Sequence, residues 1–254
     1  MSNERTPTLL EDAATYPLRG SGWIMITLGA VLSAVLTLGT IAPGFGIFAW
    51  FAGLAYFTAF YFDIIGSTVN GEDECPNWPD ITDLMGDIIL PVVRCIGVWL
   101  ISFLPLVIVI ARMGDDESEF SSPAVWATLA WGAFYFPMAI LNVAVGNEMS
   151  GALPHRVLPD AIRAMPGYLW LVALLSAVFV LSEIAAVYGS KVPFVGGLLA
   201  AGISLYFMMM QARLAGLFYR RRVETEEDQV EELPDASPPA REIPGPQTST
   251  EIPM

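Results

Sequence analysis

Apolar stretches of about 20 residues recur along this chain, and they constrain its fold more than any other feature. A helix of that length spans roughly 30 Å, the thickness of the hydrocarbon core of a bilayer. Charged residues make up only 15% of the chain, whereas soluble domains carry about 25%. The sequence therefore predicts an all-α integral membrane protein, a bundle of about six transmembrane helices. The predicted spans are residues 23–42, 45–65, 88–111, 123–145, 168–188 and 194–218.

The positive charges predict the orientation of the bundle. With an even number of spans both termini lie on one side, which would hold Arg5, Arg19, Arg156, Arg163 and the run 220–222. The other side would keep only Arg112 and Lys191. The positive-inside rule then places both termini in the cytoplasm of a cell whose inner membrane the chain crosses.

Three parts follow along the chain. Residues 1–21 are expected to form a cytoplasmic N-terminal lead, and residues 22–222 the transmembrane domain. Residues 223–254 are acidic, rich in proline and without aromatic residues, so they cannot bury enough apolar surface to order themselves. We therefore expect a disordered cytoplasmic tail there.

Two cytoplasmic loops, 66–87 and 146–167, carry apolar residues at helical spacing. In the first, Leu84, Met85 and Ile88 stand among aspartates, and in the second Val157 and Ile162 stand among charged residues. This spacing predicts a short interfacial helix in each loop.

The stretch NGEDECPNWPD, residues 70–80, places the carboxylates Glu72, Asp73, Glu74 and Asp80 around Trp78. Consecutive carboxylates do not converge on a metal without a tightly folded loop, and the spacing of an EF-hand is absent. Prolines on either side of Trp78 stiffen a turn, and the indole is expected to anchor the loop at the membrane interface. We interpret the loop as a cytoplasmic elbow with its acids in water. A regulatory or partner-binding surface is the alternative, and cation binding stays open.

Ionisable residues inside spans are the strongest functional signal that a membrane protein offers. A pair between Asp63 and Arg94 is one hypothesis, and a pair of Glu183 with Arg112 or Lys191 is another. Arg213, near the cytoplasmic end of the last span, is expected to reach the interface or to join a structural ion pair.

Enzymatic chemistry finds little support in the sequence. His155 is the only histidine, which excludes a zinc site built from several histidines. No phosphate-binding GxxxxGK[ST] loop and no HExxH motif occur. We predict no catalytic residue, no cofactor and no metal. The net charge of −14 argues against a nucleic-acid partner.

Four segments carry a resemblance to a known group. They are YPLRGSGW before the first span, GEDECPNWPD after the second, FYFPMAILNVAV in the fourth and LPDAIRAMPGYLW before the fifth. Together they resemble bacterial multi-helix membrane proteins of uncharacterised function, distantly of the Yip1 type. The resemblance implies an α-helical inner-membrane protein with a role in trafficking or membrane organisation, and it assigns no catalytic residue.

The expected function is therefore non-enzymatic: membrane organisation or protein interaction through the cytoplasmic loops and tail. The expected partners are the lipid bilayer and a protein bound at those loops or at the tail. A small-solute transporter or channel subunit is the alternative. Such a carrier needs a polar site near mid-bilayer, and there the spans offer only serines, at positions 33, 102, 176 and 204.

Overall fold

The computed structural model describes residues 8–39, 45–80, 82–113, 122–193 and 195–231, and over these ranges its regular structure is entirely helical. Eight α-helices follow in order: α1 Leu9–Thr15, α2 Gly22–Gly39, α3 Phe45–Val69, α4 Leu90–Met113, α5 Pro123–Gly146, α6 Pro154–Arg163, α7 Gly167–Ser190 and α8 Gly196–Glu231. Tyr16–Leu18 and Met149–Ala152 form 3₁₀ turns, and a π-helical segment, Leu84–Ile89, leads directly into α4.

Five of these helices are long and apolar enough to cross a membrane. A sixth candidate is the pair Leu9–Leu18 and Gly22–Thr37, bent by 64° at the break between them. The coarse prediction of an all-α bundle with several apolar helices of membrane-spanning length is thus confirmed. Each predicted span overlaps one long helix, because an apolar run long enough to cross a bilayer must satisfy its backbone internally.

The last long helix, α8, lies at the centre of the bundle, where α1, α2, α3 and α7 pack against it, while α4 packs mainly on α5. Gly216 marks the close approach of α8 to α3. A Cβ at this position would lie 2.6 Å from the Cβ of Thr68, so a side chain here would push the two helices apart.

The outer surface of the long helices is covered by large apolar side chains. Phe48 is 74% exposed and Trp170 is 71% exposed. Soluble monomers rarely leave such continuous apolar surface in water. This surface fits a multi-pass membrane protein.

A tyrosine compensates for a proline inside α5. Pro137 interrupts that helix, and the hydroxyl of Tyr168 on α7 enters its backbone ladder next to the proline. The hydroxyl accepts a hydrogen bond from the Met138 N–H at 3.2 Å and donates one to the Phe134 carbonyl. Both backbone groups therefore have a hydrogen-bond partner in a buried region of the bundle, where water does not supply one.

Among the described residues, helices lie on both sides of the predicted transmembrane domain 22–222. The expected lead 1–21 contains α1, whose N-terminus is closed by reciprocal bonds between Thr8 and Glu11. At the other end, α8 continues to Glu231, beyond the boundary placed after residue 222. The rest of the expected tail, 232–254, lies outside the described residues. The predicted helix in loop 146–167 is present as α6, and the one in loop 66–87 is the π-helical lead into α4.

Candidate functional site

The guanidinium of Arg213 is the most completely buried charge in the described part of the chain, with 1% of the residue exposed. Its Nε donates to Asp12 Oδ2 at 3.0 Å, and its Nη2 to Asp73 Oδ1 at 2.8 Å. Its Nη1 donates to the Glu72 carbonyl at 2.6 Å and approaches Thr68 Oγ1 at 3.4 Å. We call this set, together with Tyr16, the Arg213 cluster, and the end of the bundle that carries it the Arg213 end.

Helix α1 supplies two members of the cluster. Asp12 directly follows the capping box in the first turn of α1, and Tyr16 follows directly after the helix. The guanidinium carbon of Arg213 lies 4.8 Å from the centre of the Tyr16 ring, within cation–π distance. On α8, the Tyr206 hydroxyl donates to the Ala14 carbonyl at 2.7 Å. Contacts to α8 thus dock α1 onto the bundle at several points.

The 70–80 loop supplies the remaining members of the cluster. Gly71 has a φ of +86°, a conformation that favours glycine, and it turns the chain out of α3 beside the Arg220 guanidinium. After this turn the Glu72 carbonyl points at Arg213, while the Glu72, Glu74 and Asp80 residues are exposed. Asp73 reaches Arg213 with a side chain that is 76% exposed. The loop acids therefore lie at the surface, and one of them is tied to the buried arginine.

Cys75, in the same loop, is buried against the cluster, with 7% of the residue exposed. Burial raises the pKa of the Cys75 thiol to about 11, and the Tyr16 hydroxyl, which favours the thiolate, offsets only part of that rise. A thiol of this kind is a weak nucleophile at neutral pH.

Trp78 is not the interface anchor that we expected. Its ring stacks on Phe60 with the ring centres 4.4 Å apart, and on Tyr56 at 5.2 Å. A Cβ added to Gly29 would lie 2.8 Å from the indole, so the ring fills the space that this glycine leaves on α2. The indole N–H is buried without a hydrogen-bond partner. Trp78 is a wedge between α2 and α3, where its ring is buried against aromatic neighbours.

The predicted pair between Asp63 and Arg94 is wrong. Asp63 lies on an exposed face of α3 and joins no ion pair within the described ranges. Arg94 donates instead to the side-chain oxygen of Asn147, the left-handed residue that ends α5. The prediction considered only the depth of the two residues in the membrane. Two residues at equal depth on neighbouring helices meet only if both side chains point toward the contact between those helices.

Glu183 also lacks the expected partners, Arg112 and Lys191. Arg112 is exposed at the end of α4, and the Lys191 ammonium lies 4.8 Å from the centre of the Tyr188 ring. Glu183 instead lines a cavity of about 410 Å³ between α2, α3, α7 and α8. We call this cavity the Glu183 groove, and its polar lining consists of Ser33, Ser182, Glu183, Ser204 and Gln211. The hydropathy pattern alone does not predict that these side chains line one cavity.

The Arg213 cluster is held together by ion pairs and hydrogen bonds. His155 is exposed on α6, away from the cluster. Among the described residues, no group of three or more histidine, cysteine or acidic side chains is arranged to hold a metal ion. The cluster places one buried cation against two carboxylates and a backbone carbonyl, which fixes three segments of chain relative to one another.

These features define a class of protein: an all-helical bundle with five or six helices that could cross a membrane and a charged cluster at one end. No protein-family model matches the chain, and neither curated proteins nor solved structures gave a significant match. Function therefore has to be inferred from the geometry of the chain itself.

Proposed function

We propose that this chain is a non-enzymatic, multi-pass protein of the bacterial inner membrane that serves membrane organisation or protein interaction through its cytoplasmic end. The observation that supports this most is the Arg213 cluster. It joins α1, the 70–80 loop and α8 into one polar surface at one end of an otherwise apolar bundle. A buried charge is costly unless it is paired, so the cluster holds this surface in one arrangement.

The distribution of charge favours the Arg213 end as the cytoplasmic end. It carries Arg19, Arg163 and Arg220–Arg222, whereas the opposite end carries Arg112 and Lys191. Under the positive-inside rule this bias orients the bundle. Helix α8 has 36 residues, or about 54 Å, and so extends well beyond a hydrocarbon core of about 30 Å.

The exposed carboxylates of the 70–80 loop form the surface that we propose for interaction. Glu72, Glu74 and Asp80 are exposed, and the loop that carries them is fixed by Arg213 on one side and by the Trp78 wedge on the other. A loop that is already held in its bound conformation loses less conformational entropy when a partner binds. A partner with a basic segment suits such a surface.

Site-specific photocrosslinking in living cells tests this interaction role. Glu74 and Asp80 would each be replaced by the photoreactive residue benzoylphenylalanine, and Val192 at the opposite end would serve as the matched control. We expect an adduct of discrete mass from the two loop positions and its loss in a Glu72→Lys background. Equal or absent crosslinking at all three positions would contradict the proposed interaction surface.

The Glu183 groove favours a second candidate, a small-solute transporter or channel subunit. A carboxylate and four other polar side chains from α2, α7 and α8 line one cavity. Intramembrane carboxylates often mark ion or proton paths. Proteoliposomes loaded with the pH dye pyranine test this: Glu183→Gln should abolish a proton flux that the Glu148→Gln control retains. The control is empty liposomes. If vesicles with the unmodified protein show the same proton flux as empty liposomes, with or without a sodium gradient, proton and sodium transport are no longer candidates.

A further inference from the structure

A second cavity at the Arg213 end has walls of two opposite kinds. It measures about 470 Å³ and lies between α1, the end of α6 and α8. Arg163, Arg221 and Arg222 form its charged wall, and Leu9, Ala164 and Phe218 form its apolar wall. We call it the arginine pocket.

The charged wall has an excess of positive charge. Arg222 is tied to Asp160 through an Nη2–Oδ1 distance of 3.3 Å, and Asp160 also accepts from Asn142 at 3.0 Å. The guanidinium groups of Arg163 and Arg221 form no hydrogen bond or ion pair with a described side chain. Two of the three guanidiniums in this wall, those of Arg163 and Arg221, thus have no described partner. Guanidinium forks match the oxygens of a phosphate, so the chemistry of this wall is that of an anion site.

The apolar wall and the position of the pocket indicate where the anion comes from. The pocket lies where the apolar part of α8 ends and just before α7 begins at Gly167. Close to it along the chain, three large apolar side chains are exposed: Ile162 is 65% exposed, Met165 45% and Trp170 71%. A soluble phosphate would gain nothing from these apolar neighbours, whereas the acyl chains of a lipid would cover them.

We propose that Arg163, Arg221 and Arg222 bind the phosphate of an anionic phospholipid headgroup, with its acyl chains lying along the exposed side chains of α6 and α7. Basic pockets between helices at the cytoplasmic boundary of a bilayer suit such headgroups. The inference rests on the membrane placement proposed above but not on the interaction role of the 70–80 loop.

Native mass spectrometry of the full-length protein in a neutral detergent tests the proposal. Titration with phosphatidylglycerol should give bound lipid at lower concentration than titration with phosphatidylcholine carrying the same acyl chains. The double variant Arg163→Gln/Arg221→Gln should weaken phosphatidylglycerol binding roughly tenfold to thirtyfold, since each arginine near an anionic lipid contributes substantially. The control variant Arg112→Gln/Arg156→Gln loses the same charge at exposed positions outside the pocket and should bind as the unmodified protein does.

Three results would overturn the proposal: unchanged affinity in the double variant, equal binding of the two lipids, or displacement of phosphatidylglycerol by an equal concentration of glycerol phosphate. The last result would indicate a soluble phosphate ligand. An unchanged unfolding midpoint of the double variant ensures that a loss of binding is not a loss of fold. Because the measurement uses micelles, it is independent of which way the bundle faces in a cell.

Discussion

Arg213 Nε lies 3.0 Å from Asp12 Oδ2, although 201 residues of chain separate them. This contact joins the first helix to the last one, and the same guanidinium also reaches the 70–80 loop through Asp73. Because only 1% of Arg213 is exposed, its charge depends on these partners instead of water. One side chain therefore ties three segments of the Arg213 end to one another.

The two carboxylates that contact Arg213 should differ in energetic weight. The Asp12 side chain is 14% exposed and the Asp73 side chain 76% exposed. We expect Asp12→Asn to lower the free energy of unfolding by about 2 kcal/mol, because it weakens a charged hydrogen bond in a mostly buried pair. Asp73→Asn should cost less than about 1 kcal/mol, since water already screens that pair. Unfolding by sodium dodecyl sulfate in mixed micelles measures both. Equal costs, or a larger cost for Asp73→Asn, would contradict this ranking.

Trp78 should behave as a packing residue. Trp78→Ala would leave a cavity between α2 and α3 and should cost about 3–5 kcal/mol in the same unfolding measurement. Trp78→Phe should cost clearly less, because it keeps an aromatic ring and removes a buried N–H that has no acceptor. Trp126 is 63% exposed, so Trp126→Ala should change stability by only about 0.5 kcal/mol. Similar costs for the two alanine variants would restore the interface-anchor interpretation of Trp78.

Tyr168→Phe should weaken the junction of α5 and α7. The variant keeps the ring but leaves the Met138 N–H and the Phe134 carbonyl without their bridging hydroxyl. Unsatisfied groups of this kind cost about 1–3 kcal/mol each when buried. The expected result is a lower unfolding midpoint, and Tyr188→Phe, at a 67% exposed tyrosine, is the control. A stability unchanged within error would mean that α5 tolerates Pro137 without the bridge.

Cys75 should react slowly and with a steep dependence on pH. Burial raises the pKa of its thiol from 9.0 to about 11, so at pH 8 the folded protein holds about a hundredfold less thiolate than an unshifted thiol. In a Cys95→Ser background, the rate of N-ethylmaleimide alkylation should rise about tenfold per pH unit up to pH 10. Tyr16→Phe removes the hydroxyl that favours the thiolate and should slow the reaction further. A rate that levels off near pH 9 would show an unshifted thiol.

Hydropathy identified the long helices because each one is a continuous apolar run. The position of a residue along its helix axis then follows from its place in the run, at about 1.5 Å per residue. It did not give the direction in which each side chain points around its helix. For this reason the sequence pairs Asp63 with Arg94 by depth alone, and it pairs Glu183 with the cations at the outer end. In the structure Glu183 lines one cavity together with Ser33 and Gln211 of neighbouring helices.

Arg213 was recognised as an ionisable residue near the end of the last span, but its partner Asp12 was not. Asp12 lies in a segment that looked like a polar lead, too short and too charged to count as a span. One signal was present there: Thr8 and Glu11 have capping-box spacing, and Leu9, Ala13 and Tyr16 recur on one helical face. Ala13 and Tyr16 are fully buried, as that face predicts.

The central claim is that the Arg213 end of a multi-pass bundle faces the cytoplasm, and cysteine accessibility tests it most directly. In a Cys75→Ser/Cys95→Ser background, Asp80→Cys marks the Arg213 end and Val192→Cys marks the opposite end; both native residues are exposed. A membrane-impermeant maleimide should label Val192→Cys in intact spheroplasts and Asp80→Cys only after the membrane is opened. Labelling of Asp80→Cys in intact spheroplasts, or of both positions equally, would contradict the account.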